Sequence, residues 1–249
     1  MNTAQLAEPD NANPAQFTTT HWSVVLAAQD VGSEQAEAAL GQLCECYWYP
    51  LYAFVRRRGF NPHDAEDLTQ EFFYRLLDRN YLKAVDYRKG RFRTFLLMAL
   101  ERFLAKEWRR VRTQKRGGQV TFISMEQQAA EHRYALEPVS GLSPEQVYEQ
   151  NCALALLDKA LQRLRSEFEA EGKREKFERL KPFLTTDSTR SSYAELAGQM
   201  HLSEAALKMA VSRLRARYGE LLREEVAKTL SAEGDVVDEL HALLSSLSY

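Results

Sequence analysis

A chain of 249 residues has room for one large domain or two small ones, and a 45% hydrophobic share gives each enough apolar side chains to bury a core. A formal charge of −2 excludes a general electrostatic attraction to nucleic acid, so any such contact has to come from local basic patches. Three cysteines, two of them at Cys44 and Cys46, exclude a disulfide framework and fall short of a zinc site; with no signal peptide and no bilayer-length apolar run, they fit core packing in a reducing, cytoplasmic setting without membrane insertion.

Residues 1–19 have no hydrophobic period and read as a disordered tail. Thr20 or Ser23 then caps a short helix that Trp22, Val25 and Leu26 anchor to the next element. From Glu34 to Arg58 the pattern is helical, with Ala39, Leu43, Cys46, Tyr47, Pro50, Leu51, Phe54 and Val55 on the buried side. Pro50 predicts a kink, and Gly59 a left-handed cap.

Asn61 caps the next helix, Pro62 takes its first position, and Asp64, Glu66 and Asp67 load its N-terminal turns with charge that the helix dipole favours. Ala65, Leu68, Phe72, Phe73 and Leu76 are its buried side. Asp64, Asp67, Gln70, Glu71 and Arg75 lie together elsewhere, as an acidic and amide-rich strip that by itself reads first as an ordinary solvated face with dipole compensation. No histidine or metal-ligand spacing converges on these carboxylates, so no catalytic residue, metal or cofactor is expected.

Arg91 to Phe95 opens a long helix reaching Arg116, in which Leu96, Leu97, Leu100, Phe103 and Leu104 are apolar. Its second half is strongly basic, with Arg102, Lys106, Arg109, Arg110, Arg112, Lys115 and Arg116 around Trp108. Interleaved cations and aromatics suit a phosphate backbone and unpaired bases, and Glu101 and Glu107 are too few to neutralise them.

Residues 117–145 lack a period and read as a flexible linker. Ser143 and Pro144 start a helix to Glu171 with Leu154, Leu157, Leu161, Leu164 and Phe168 buried, and Gly172 ends it. Phe177, Leu180, Phe183 and Leu184 form a further short helix. A helix-turn-helix follows. Ser192 with Glu195 forms a capping box for its first helix, His201 to Ser203 makes the turn, and Ser203 caps a second helix whose stripe Leu207, Val211, Leu214, Tyr218 and Leu221 packs inward. Ala205, Lys208, Met209, Ser212 and Arg213 face outward, short or polar enough for a major groove, with Arg215 and Arg217 as flanking phosphate contacts. A last small helix carries Leu240, Leu243, Leu244 and Leu247, a docking face for its own domain or for a partner.

These parts, in this order, resemble bacterial sigma factors of the extracytoplasmic-function type. Asp64-Ala-Glu-Asp-Leu-Thr-Gln-Glu-Phe72 is similar to the family's core-polymerase-binding helix, and Tyr193-Ala-Glu-Leu-Ala through Ser212-Arg-Leu-Arg to its fourth region. The likeness covers about residues 35–225. It implies an all-α fold of two helical domains: residues 20–116, binding core polymerase and the downstream promoter element, and residues 146–230, carrying the helix-turn-helix, with 117–145 between them and 231–249 as an extension. It further implies that Asp64, Asp67, Gln70 and Glu71, in the strip that includes Arg75, meet the polymerase clamp helices. Phe92, Phe95, Arg102, Lys106, Trp108, Arg109, Arg110 and Arg112 would recognise and melt the downstream element. Lys208, Ser212, Arg213, Arg215 and Arg217, with Ser203 at the cap, would hold the upstream one. The implied partners are bacterial core RNA polymerase and promoter DNA, with an anti-sigma or other regulator as a further candidate; the polymerase makes the bonds, so no enzymatic chemistry is implied. The segment between Leu164 and Tyr193 is longer than is typical of the family, and the two termini extend beyond its minimal form.

Two other readings remain at this point. A conventional helix-turn-helix regulator would bind duplex DNA without polymerase. A nucleic-acid-processing enzyme would hold a divalent metal on Asp64, Glu66 and Asp67, but Glu66 points away from the other two on a helix.

Overall fold

A computed structural model of the chain describes residues 34–76, 91–113, 125–137, 141–184, 190–230 and 234–248. The reading of residues 1–26 lies outside them. All the regular structure among the described residues is helical, apart from one isolated antiparallel bridge between Arg91 and Leu230. The helices are α1 (Glu34–Arg57), α2 (Pro62–Leu76), α3 (Phe92–Thr113), α4 (Met125–Leu136), α5 (Pro144–Ala170), α6 (Arg174–Leu180), α7 (Arg190–Gln199), α8 (Glu204–Lys228) and α9 (Val236–Ser245).

Most of the predicted ends are visible. Gly59 and Gly172 take positive φ after α1 and α5, where a Cβ would strain the backbone. The Asn61 side chain accepts from the Asp64 amide at 2.9 Å and donates to the Asp64 carboxylate at 2.7 Å, a reciprocal cap at the start of α2. Ser143 and Gln146 form a complete capping box on α5, with Pro144 in its first turn. Pro50 lies buried inside α1 without interrupting the helix.

Two hydrophobic cores form. Leu43, Tyr47, Leu51 and Phe54 of α1 pack with Phe72 and Leu76 of α2, Phe92, Leu96, Leu100 and Phe103 of α3, and Tyr148 and Cys152 of α5. Ala153, Leu156, Ala160 and Leu164 of α5 pack with Phe177 and Leu180 of α6, Leu196 of α7, Leu207, Val211, Leu214 and Leu221 of α8, and Leu243 of α9. Burying each Leu or Phe stabilises the fold by about 1.5–3 kcal/mol. The long α5, about 40 Å at 1.5 Å per residue, therefore belongs to both cores and passes from one to the other between Cys152 and Ala153.

This double duty corrects one expectation. Leu154, predicted to be buried, is exposed, because the inward side of α5 runs through Leu156 and Ala160 instead. Ser192 is also displaced: α7 begins at Arg190, so that serine is the third residue of the helix. Part of the span expected to be a flexible linker is the helix α4, held on α1 by polar contacts. Glu131 accepts hydrogen bonds from the Tyr52 hydroxyl at 2.6 Å and from Arg56 at 3.0 and 2.7 Å. Glu137 accepts from Tyr49 at 2.7 Å and from Asn151 at 2.8 Å. The last helix, α9, docks on its own chain, against α5 and α8.

Candidate nucleic-acid and partner interfaces

The acidic strip of α2 divides. Asp67, Gln70 and Glu71 are exposed and lie one turn apart along a single face. Tyr74, 77% exposed, continues that face at the next turn and is an apolar ring the sequence reading passed over. Its signal was the spacing of Asp67, Gln70 and Tyr74. Asp64 is engaged in the Asn61 cap, and Glu66 is buried among the helices. Arg75 is a tie rather than a free cation: it pairs with Glu71 at 2.7 Å and with buried Glu107 of α3 at 2.8 Å, and stacks on Phe103. Among the described residues no group of three or more His, Cys, Asp or Glu side chains is placed to hold a metal ion.

On α3, Phe92 is fully buried, with ring centroids 5.4 Å from Tyr47 and 5.9 Å from Phe95, which is half-buried. Both rings serve the first core in this conformation. The outward face runs Thr94, Met98, Arg102, Ala105 and Lys106, all exposed at helical spacing. Met98, 49% exposed, gives this face an apolar centre that the sequence reading did not single out. Trp108, Arg109, Arg110 and Arg112 continue the helix, but their side chains are outside the described residues.

The α7–α8 pair is joined by residues 200–203. The Leu202 amide reaches the Ala197 carbonyl at 2.9 Å and the His201 amide reaches Gly198 at 3.2 Å, the two bonds of a Schellman ending. It places His201 in the left-handed region, φ 53°. Ser203 caps α8 by accepting from the Ala206 amide at 3.2 Å. Beyond the cap, Ala205, Lys208, Met209, Ser212 and Arg213 are all exposed, while Leu207, Val211 and Leu214 are buried behind them. The arginines that follow are not equivalent to Arg213. Arg215 donates to the Phe183 carbonyl at 2.9 Å. Arg217 is held by Glu167 of α5 at 2.6 and 2.9 Å and by Glu220 at 2.9 Å; these bonds raise the affinity of its guanidinium for its proton and hold the Glu167 carboxyl below its usual range. Lys208 keeps a loose approach to Glu204 at 4.0 Å and lies 5.9 Å from the Tyr193 ring centre.

No helix of the described residues is long and apolar enough to cross a membrane. Comparison with curated proteins and with solved structures gives no match. The family model described as ECF sigma factor matches residues 25–224, which takes in α1 to the last turn of α8 apart from its final residues. With an all-helical fold and most of its length matched, the chain belongs to the ECF sigma factor family.

Proposed function

We propose that this sigma factor binds core RNA polymerase through the exposed face Asp67, Gln70, Glu71 and Tyr74 of α2, and reads promoter DNA through two separate helices. The observation that carries the assignment is the sorting of exposed charge: the α2 face is acidic, whereas the outward face of α8 at Lys208, Ser212 and Arg213 is polar and basic. An anionic duplex is repelled by the first and attracted by the second. Met209, 56% exposed beside those groups, adds an apolar contact of the kind that suits a thymine methyl.

Arg102 and Lys106, with Trp108, Arg109, Arg110 and Arg112 beyond them, track the downstream element. Unstacking costs a few kcal/mol per step, and each base captured on an aromatic ring returns about 1–3 kcal/mol. Arg217 and Arg75 act by holding helices in place, because their guanidinium groups are already occupied by carboxylates. The polymerase makes the bonds and this chain supplies the specificity. The test is separation of function. Arg213→Ala should lose upstream-element recognition and keep core binding, and Asp67→Ala should do the reverse. Two variants that both bind core polymerase and promoter like the parent would overturn the residue assignment.

A further inference from the structure

The helix α9 has an acid in the middle of its apolar stripe. Leu243 enters the second core, with Val236, Leu240 and Leu247 alongside, yet Glu239 on the same side is only 1% exposed. A carboxylate survives such burial only when it is paired. Its partners are not on the neighbouring helices of the second core but at the start of α3. Arg93 donates to the two Glu239 oxygens at 2.8 and 3.3 Å, and Arg91 reaches the same carboxylate. Arg93, 4% exposed, also pairs with Glu149 of α5, and its carbonyl accepts the Tyr148 hydroxyl at 2.9 Å.

The backbone fastens the same junction. Arg91 bridges Leu230, and the Phe92 amide donates to the Thr229 carbonyl at 3.1 Å, joining the first turn of α3 to the last residues after α8. Gly234 leads into α9 so close to Leu230 that a Cβ there would meet the Leu230 Cβ at 2.9 Å. Charge, backbone pairing and a close approach only glycine allows thus meet at one place.

We infer that residues 234–248 are an internal clasp whose Glu239, anchored on buried Arg93, occupies Arg91 as a stand-in for a nucleic-acid phosphate, masking the basic start of α3 while tying that helix to the end of α8. A carboxylate and a phosphate present the same forked acceptors to a guanidinium. Releasing the clasp adds Arg91 to the outward face that Thr94, Met98 and Arg102 continue, while Arg93 stays on the buried side with Glu149. It also frees the two DNA-reading helices to move relative to each other. The inference rests on the proposed reading of α3 as a DNA-facing helix.

Full-length Glu239→Gln and Gly234→Val release the clasp by unrelated means, one through charge and one through packing. Hydrogen exchange at the α9 amides and at Phe92, and affinity for a labelled promoter-length duplex across a salt series, are the readouts. Both variants should exchange about tenfold faster than the parent at these amides, as expected of a locally opened segment. Both should bind duplex about tenfold more tightly with a steeper salt dependence, as an added phosphate contact at Arg91 requires. Adding Arg91→Gln to Glu239→Gln should take back part of the gain. Parent-like exchange in both variants overturns the clasp. Faster exchange with unchanged duplex affinity and salt slope makes α9 a packing element and overturns the masking. If the duplex gain appears but neither parent nor variants associate with core RNA polymerase, the masking stands and the polymerase assignment fails.

Discussion

The two helices assigned to DNA are tied down at opposite ends. α8 leaves its N-terminal half bare, at Ala205, Lys208, Met209, Ser212 and Arg213, and gives its C-terminal half to ion pairs and packing through Arg217, Glu225 and Leu221. α3 is tied down at its first turn, at Phe92 and Arg93, and beyond it keeps Leu96, Leu100 and Phe103 in the first core while Thr94, Met98, Arg102, Ala105 and Lys106 face outward. Each helix therefore sets a tied end against an outward face, and a basic residue belongs to one or the other according to the carboxylates that reach it. A count of arginines along a helix does not separate these uses. Their partners do.

The comparison breaks most severely if the helix shared by the two cores is weakened. Leu164→Ala removes a fully buried side chain from α5 where it meets the second core, and should cost about 2–5 kcal/mol in a denaturant melt. A loss below about 1 kcal/mol would mean that the second core does not depend on α5. The comparison sharpens with the paired arginines of α8. Arg213→Ala should weaken binding at the upstream element by about 1–3 kcal/mol, because a base-reading contact is lost. Arg217→Ala should leave that binding within about threefold while lowering the melting temperature, since its loss strands Glu167 and Glu220. Equal effects of the two on DNA would erase the distinction.

Acid should act on α4, the helix held by polar contacts. The Glu131 carboxyl is held below its ordinary range by the Arg56 hydrogen bonds, burial opposing and the Tyr52 hydroxyl assisting. A carboxyl with a depressed folded value contributes stability in full above its unfolded value, about 4.3, and loses it as pH falls through the folded one. Glu131→Gln should therefore flatten the acid limb of the stability curve and cost about 1 kcal/mol at pH 7, the pair being partly screened by solvent. The smallest effect is at the turn before α8. His201→Gly relieves a left-handed backbone that glycine adopts freely, and should raise stability by about 0.5–1 kcal/mol without altering DNA affinity.

Much of this was legible in the sequence because it is local. The α8 stripe, the Ser203 cap, the Asn61–Pro62 start of α2 and the glycines at 59 and 172 are all fixed by neighbours within a turn or two. The exposed α2 face was legible for the same reason, and Tyr74 escaped only because an aromatic beside Phe72 and Phe73 looks like core. What was not legible depends on distant partners. Arg217 meets Glu167 fifty positions away, and Arg93 meets Glu239 at a separation of 146, so neither pairing leaves a periodic trace. The helix α4 was hidden because tyrosine and arginine contacts to Glu131 and Glu137 hold it; Ala130 is the one buried apolar side chain among those described on it. Leu154 misled because α5 serves two cores whose directions differ, and a single stripe cannot describe both.

The most direct test of the central assignment is start-site mapping: bacterial core RNA polymerase is mixed with the purified chain on genomic fragments, and transcript 5′ ends are sequenced. The account predicts co-elution with core polymerase and discrete starts that disappear with Arg213→Ala. Sequence-specific duplex binding with no polymerase association and no discrete starts would contradict it.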